Sequence, residues 1–471
     1  MNRDKIKVIV GNIIYAFSVQ GLSLMLSLIM SLVLPKVMGV KEYAYWQLFL
    51  FYISYVGFFH LGINDGVYLR SAGKKIDDLN TRLINSQFWY SILAQTILGI
   101  VLIISSFFVL DENNRIFVII FTMVYMILTN AANFLGYLFQ ALNEVKIYST
   151  SVLVDKSFFL VILLIQILFK VKDFKILIIS FCFSRMLSLL YCCIKGSKII
   201  KSGLLNIRDT FNEIKINISV GCKLMLSTIC SMMVLGIGRV VVDSKFGIET
   251  FGIFSFSFSI INFFLQFISQ VSMVIFPALK QINEKKLKTI YISGNTVLTV
   301  FLALLLFFYI PISILISWWL PQYNMSLKYL ILLLPICVYD GKMNILYTTL
   351  FKVLRKEKQL LCINVIALII NIIFSIISAY IYSNIYFVVC GMVCAIAIRN
   401  ILSERYLAKY YKVRYMKESI LENLLMGGFV ISTWFFVQEL SLVIYMVMYI
   451  IAIVFLKNEI KDSFISIKEN I

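Results

Sequence analysis

Leu83–Val109 reads LINSQFWYSILAQTILGIVLIISSFFV; after the short polar join LDENN the chain resumes with RIFVIIFTMVYMILTNAANFLGYLFQAL, Arg115–Leu142. Each run exceeds the roughly 20 apolar residues that an α-helix needs to cross the hydrocarbon core of a bilayer. Neither contains an acidic residue, and Arg115 stands at the edge of its run. Leucine, isoleucine and phenylalanine follow one another without the alternation of a barrel strand, so the pair predicts a helical hairpin across a membrane.

The same pattern extends in both directions. Apolar runs occupy 8–34, 43–69, 83–109, 115–142, 147–169, 174–195, 217–243, 248–279, 287–318, 326–352, 358–382, 384–405, 419–437 and 440–456. The expected fold is an all-α polytopic membrane protein with about 14 transmembrane helices. The last two runs are short and parted only by Gln438 and Glu439, and the first, after the basic start MNRDKIKV, is too long for a signal peptide. Composition agrees: 61% of the 471 residues are apolar and 14% charged, against about a quarter charged in a soluble domain. The mean hydropathy is +0.92. A soluble globular protein, a disordered chain and a secreted disulfide scaffold are excluded.

The formal net charge of +19 would point to nucleic acid on a soluble chain, but here the basic residues cluster between runs. With both termini cytoplasmic, Lys and Arg of the inner segments outnumber those of the outer loops by roughly three and a half to one, the asymmetry that sets topology. The inner loops would also attract anionic lipid headgroups. No nucleic acid partner is expected. The nine cysteines form no CxxC pair and His60 is the one histidine, so no metal site is expected. No phosphate-binding GxxxxGK[ST] loop occurs and no cofactor is expected. The outer loops are too short for a catalytic domain, so the chain reads as a non-enzyme. Asp111 and Glu112 are the weak acidic candidates a glycosyltransferase reading would have to use.

The inner segment 196–216 parts the first twelve runs into two sets of six. The expected organisation is an N-terminal six-helix lobe (1–195), a cytoplasmic linker (196–216), a C-terminal six-helix lobe (217–405), and two extra helices with a cytoplasmic tail (406–471). GVKEYAYW (Gly39–Trp46), after the first run, is echoed by GIETFGIF (Gly247–Phe254), after the seventh. Parallel six-helix repeats are a transporter architecture with a cavity open to alternate sides.

The stretch LPKVMGVKEYAYWQLFLFYISYVGFFHLGINDGVYLR (Leu34–Arg70), with its Gly39…Tyr43 turn and His60-Leu61-Gly62-Ile63-Asn64-Asp65-Gly66, resembles the first hairpin of O-antigen and capsular polysaccharide repeat-unit flippases. GRVVVDSKFGIETFGIFSFSFSI (Gly238–Ile260) is similar to the same family's second-half turn; Ala44 departs from the glycine more usual there. The resemblance implies a MATE-like fold of the multidrug/oligosaccharidyl-lipid/polysaccharide exporter superfamily. It implies transport of undecaprenyl-pyrophosphate-linked oligosaccharide from the inner to the outer leaflet of the bacterial plasma membrane. A polysaccharide polymerase and a chain-length regulator would be partners.

Ionisable residues inside spans mark candidate sites, since a mid-bilayer charge costs at least about 2.5 kcal/mol. The basic candidates for a pyrophosphate are Arg185, Lys342, Lys223, Arg239 and Lys156; guanidinium forks and lysine charges suit phosphate oxygens. Asp65, His60, Asp155 and Asp340 are candidates for ion or proton coupling, with His60 and Asn64 expected on one helix face. Arg399 lies close enough to the inner surface to snorkel. The competing readings are a cation-coupled multidrug exporter, which would favour acidic residues, and a peptidoglycan-precursor flippase. A membrane glycosyltransferase or polymerase is the alternative from another class.

Overall fold

The computed structural model describes residues 20–280, 282–413 and 416–470. Among them every regular element is helical, as expected for backbone that must satisfy its own polar groups in lipid. The chain divides into two compact units, one ending at Ile229 and the other starting at Cys230.

Unit 1 contains α1 (Gln20–Val37), α2 (Val40–Ile53), α3 (Ile63–Ser71), α4 (Thr81–Val109), α5 (Asn113–Ala141), α6 (Val145–Leu168), α7 (Phe174–Lys195), α8 (Ser197–Ile200) and the first part of α9 (Ile207–Phe246). The segment 196–216 is therefore largely helical: it holds α8 and the start of α9, and the unit boundary falls inside α9. Polar side chains start the long helices by accepting from free backbone N–H groups. Asn80 accepts from Leu83 N at 3.1 Å, at the start of α4. At the start of α7, Asp173 accepts from Lys175 N at 2.8 Å and Glu42 from Phe174 N at 3.1 Å.

The run 43–69 is broken rather than straight. A short 3-10 turn, Val56–His60, follows α2; Leu61 (φ 52°) and Gly62 (φ 85°) then take left-handed backbone, and the chain leaves at 57° as α3. Consecutive left-handed residues end helical hydrogen bonding. His60 and Asn64 consequently do not share one helix face; the break lies between them. The spacing Gly62-x-x-x-Gly66 lets α3 meet α9 backbone to backbone. A Cβ on Gly62 would sit 2.7 Å from Cys222 N, one on Gly66 would collide with Asn217 backbone, and one on Gly221 with the Gly62 carbonyl.

Unit 2 contains the remainder of α9, then α10 (Ile248–Lys280), α11 (Lys286–Trp319), α12 (Ser326–Val353), α13 (Glu357–Ile381), α14 (Ile385–Tyr411), α15 (Met416–Phe435), α16 (Gln438–Phe455) and α17 (Lys457–Asn470). Twelve described helices are long and apolar enough to cross a membrane, or thirteen with α2 and α3 taken as one broken span. Fourteen were expected. The remaining run is α15, whose first half carries Lys417, Glu418, Ser419, Glu422 and Asn423. It packs on α11 and α12, where Glu418, Glu422 and Asn423 find polar partners, while Lys417 pairs with Glu459 on α17.

The echo between the halves has a physical basis. Gly39 and Gly247 each precede a helix, and their carbonyls accept from Tyr43 N and Phe251 N, both at 3.0 Å. The residues four and seven places on, Tyr43 and Trp46 or Phe251 and Phe254, are fully buried in their own unit. Trp46 is thus a core residue, stacked on Phe49 and Phe159 at 5.7 and 6.1 Å. Trp318 and Trp89 are exposed near helix ends.

Candidate functional site

Unit 1 gathers its polar interior around Arg185, the twelfth residue of α7. Arg185 Nη1 lies 3.3 Å from Asp155 Oδ2 on α6, and Nη2 donates to Asn133 Oδ1 on α5 at 2.6 Å. Nη2 also approaches the Thr129 carbonyl at 3.5 Å. Ser184 donates to the other Asp155 oxygen at 2.9 Å. Nε of Arg185 has no partner, although the residue is only 8% exposed. Lys156, half-buried and adjacent to Asp155, places its ammonium 5.8 Å from the Phe181 ring centre. Arg185 and Asp155 thus pair across α6 and α7, and Lys156, next to Asp155 in sequence, is a further cation on α6. Such a locus can take an anionic oxygen on the unused guanidinium edge.

The α2–α3 break forms a second group. Gly62 N–H donates to His60 Nδ1 at 3.0 Å, and His60 Nε2 lies 3.9 Å from Asp65 Oδ2. With Nδ1 accepting, the neutral ring carries its proton on Nε2, facing the carboxylate. Asn64 donates to the Asn130 carbonyl at 3.1 Å, while Asn130 donates to Val56 O and Gln95 Oε1, both at 2.9 Å. The Asn130 amide thus supplies a donor to the Val56 carbonyl at the break.

In unit 2, Lys342 is completely buried. Its ammonium contacts Glu422 on α15 and donates to Thr299 Oγ1 on α11 at 2.8 Å. The turn Met343–Tyr347 is a π-helix, in which hydrogen bonds close five residues along. It brings Tyr347 beneath Lys342, the ammonium 5.8 Å from the ring centre. Asn400 on α14 donates to Glu422 Oε1 at 2.7 Å, and Asn295 on α11 donates to Glu404 Oε1 at 2.9 Å. Asp340 pairs with Arg399, which also donates to Ser231 Oγ at 3.0 Å. Arg399 is 2% exposed, so it does not snorkel: neighbouring helices enclose it and Asp340 neutralises it. Arg239 is buried on α9, donating to Ser255 Oγ at 3.2 Å with its guanidinium carbon 4.8 Å from the Phe258 ring centre. The side chain of Lys223 lies outside the described residues.

The structure thus joins Arg185 with Asp155 and Asp340 with Arg399, and sets Lys342 apart with Glu422. Sequence reasoning missed Glu404, Glu422 and Asn133. A readable signal existed in α14 and α15, where Asn400 and Glu404, and Ser419, Glu422 and Asn423, recur at helical spacing in otherwise apolar runs. Asp111 and Glu112, the acidic pair in the α4–α5 loop, do not form a free catalytic pair: Glu112 is engaged by Tyr45 and by Arg115 Nε at 3.1 Å. No cluster of metal-ligating side chains occurs among the described residues.

Residues 9–283 match the family of polysaccharide biosynthesis proteins. The chain belongs to this family. No curated protein matches it in sequence. Among solved structures, this family member superposes on the lipid II flippase MurJ in an inward closed conformation with a TM-score of 0.67 at 14% identity, covering 95% of this chain and 99% of that one. An inward-facing multidrug resistance MATE transporter of the MOP superfamily gives 0.57 at 14% identity, over 85% and 98% of the two chains. A MOP superfamily transporter from Pyrococcus furiosus gives 0.51 at 14% identity, over 85% and 94%. At such identities the likeness establishes the fold alone, the multi-pass helical fold that these solved transporters share.

Proposed function

We propose that the protein is a flippase that moves an undecaprenyl-pyrophosphate-linked oligosaccharide repeat unit, of O-antigen or capsule, from the inner to the outer leaflet of a bacterial plasma membrane by alternating access. Both termini are then cytoplasmic, as the loop charges favour. The observation that carries the reading beyond the family is the Arg185 locus. A buried guanidinium with an unused Nε is held by one carboxylate at the middle of a membrane helix, and Lys156, next to that carboxylate in sequence, adds a second cation to the same helix pair. That is the electrostatic complement of a pyrophosphate. Lys342 and Arg399 carry no such surplus, because each is matched by its own carboxylate.

The test is Arg185→Ala and Arg185→Lys in a strain whose surface polysaccharide depends on this gene. Alanine abolishes surface polysaccharide with protein retained in the membrane, and lysine restores part of it. Normal polysaccharide in the alanine variant refutes the assignment. A second reading, a peptidoglycan-precursor flippase, is favoured by the full-length likeness to the lipid II flippase fold; it predicts that loss of the gene is lethal, whereas repeat-unit export predicts viable cells lacking the surface glycan. A cation-coupled multidrug exporter finds no support in the basic locus.

A further inference from the structure

The helix α5 packs on α2, α3, α4, α6 and α7, and its C-terminal half exposes little. From Thr129 to Ala141 the residues that are not buried are Asn133, Tyr137 and Gln140. Spacings of four and three place them on one stripe of the helix. All three are polar, and the stripe runs about 10 Å along the axis. It is not a lipid face. α4, α6 and α7 each carry an exposed apolar face, with Ile97 and Ile104, Val161 and Ile165, and Ile179 and Leu190. On α5 the exposed large apolar residue is Val124, in its first half.

The polar groups of the stripe are not consumed by the protein. Asn133 Oδ1 accepts from Arg185 Nη2 at 2.6 Å. Among the described residues its Nδ2 has no partner, and neither have the Gln140 side-chain amide and the hydroxyls of Tyr137, Tyr68 and Tyr148. Inside a membrane span such groups must meet water or a ligand. Two of these tyrosines wall the stripe. Tyr68 on α3 stands edge-on to Tyr137, with ring centres 6.3 Å apart at 66°. Tyr148 on α6 lies against Gly136, where an added Cβ would come within 2.8 Å of its ring. Tyr137 interacts electrostatically with Tyr148, Asp65 and Arg185, so a carboxylate and a guanidinium border the same surface. Asp65 Oδ2 lies 3.9 Å from His60 Nε2, and the buried Arg185 Nε is unpartnered.

We propose that this stripe is a subsite for a neutral pyranose ring, the sugar joined directly to the pyrophosphate. A tyrosine combines an apolar ring face with a hydroxyl at its rim, and a pyranose presents the matching combination, an apolar C–H face bordered by hydroxyl groups. The sugar lies on Tyr137, between Tyr68 and Tyr148. Asn133 Nδ2 donates to one of its oxygens, and the tyrosine hydroxyls, which both donate and accept, serve the others. The phosphate next to that sugar meets the unused Nε edge of Arg185, beside Asn133 and one helical turn along the stripe from Tyr137. Asp65 sets the charge: it accepts from hydroxyl groups and repels a carboxylate, which selects against a uronic acid at this place. The inference rests on the flippase reading, which supplies the pyrophosphate at Arg185.

The test measures binding of three lipids to the purified full chain in phosphatidylethanolamine–phosphatidylglycerol nanodiscs. The probes are undecaprenyl pyrophosphate and its conjugates with N-acetylglucosamine and with glucuronic acid. The wild type is expected to bind the N-acetylglucosamine lipid about tenfold tighter than the bare pyrophosphate, and the glucuronate lipid no tighter than the bare one. Tyr137→Leu should bind all three alike, Tyr137→Phe should keep most of the sugar's advantage, and Arg185→Ala should weaken bare and N-acetylglucosamine lipids by the same factor. Asp65→Asn should raise affinity for the glucuronate lipid severalfold, and it decides the matter should Tyr137→Leu fail to fold. Equal wild-type affinity for the bare and N-acetylglucosamine lipids overturns the subsite and leaves the pyrophosphate site standing. A sugar advantage that survives Tyr137→Leu places the ring elsewhere and also overturns it. Unchanged glucuronate affinity in Asp65→Asn overturns the selectivity. Failure of the wild type to bind any of the three refutes the flippase reading, and the subsite falls with it.

Discussion

Replacing Lys342 by methionine removes the buried cation and leaves Glu422 enclosed, with Asn400 Nδ2 at 2.7 Å as its closest remaining donor. Left ionised, such a carboxylate destabilises the fold by about 3–5 kcal/mol. Its escape is to take a proton, and for a glutamate with a reference pKa of about 4.3 that costs about 1.36 kcal/mol per pH unit, or about 3.7 kcal/mol at pH 7 and about 1 kcal/mol at pH 5. The smaller figure applies at each pH. The sign follows from proton counting: the folded variant holds a proton that its unfolded form has lost at pH 7, so stability falls as pH rises. Thr299 keeps its own bond to the Asn295 carbonyl at 2.9 Å and adds no penalty. Lys342→Met combined with Glu422→Gln removes both charges and should return to within about 1.5 kcal/mol of the wild type at pH 7. Denaturant unfolding in mild detergent at the two pH values measures this directly. A loss that does not shrink at pH 5, or a double variant no more stable than the single one, would refute the reasoning.

Arg399→Met should cost about 3 kcal/mol or more by stranding Asp340, whereas a snorkelling arginine would cost under about 1 kcal/mol; the same unfolding assay discriminates. Gly66→Ala forces apart backbones of α3 and α9 and should cost about 1–3 kcal/mol or more, read as lost protein in the membrane. Gly427→Ala, with open space around it, should be neutral or stabilising by roughly 0.5–1 kcal/mol. At the surface, a backbone N–H first, and then Lys417 at 3.2 Å, hold Glu459 below the usual carboxylate range. The stability it contributes is present above the ordinary glutamate value and lost as pH falls through the lower folded value. Because the pair is exposed, Glu459→Gln should change stability by less than about 0.5 kcal/mol at pH 7.

Apolar length is a local property, so the helices from α4 to α7 could be read directly from their runs. The α2–α3 break was harder, because the run 43–69 remains apolar through Gly57 and Gly62 and composition does not record a bend. Arg185 was legible as a mid-span charge, but its partner Asp155 lies 30 positions away and only packing brings them together. Arg399 illustrates the opposite error. Its place near the end of the apolar run 384–405 invites snorkelling, and it is enclosed because α12 offers Asp340 and α9 offers Ser231. Glu422 was hidden by its own helix, since a run judged by average apolarity conceals one polar face.

The crossing of α3 and α9 also has an evolutionary consequence. Where two side chains meet, one can shrink as the other grows, and a pair can drift through compensating changes. At Gly62, Gly66 and Gly221 the opposing atoms belong to the main chain, which no substitution can make smaller. These three positions have no second-site suppressor within reach, and in saturation mutagenesis they should stand as isolated columns of intolerance amid apolar neighbours that exchange freely.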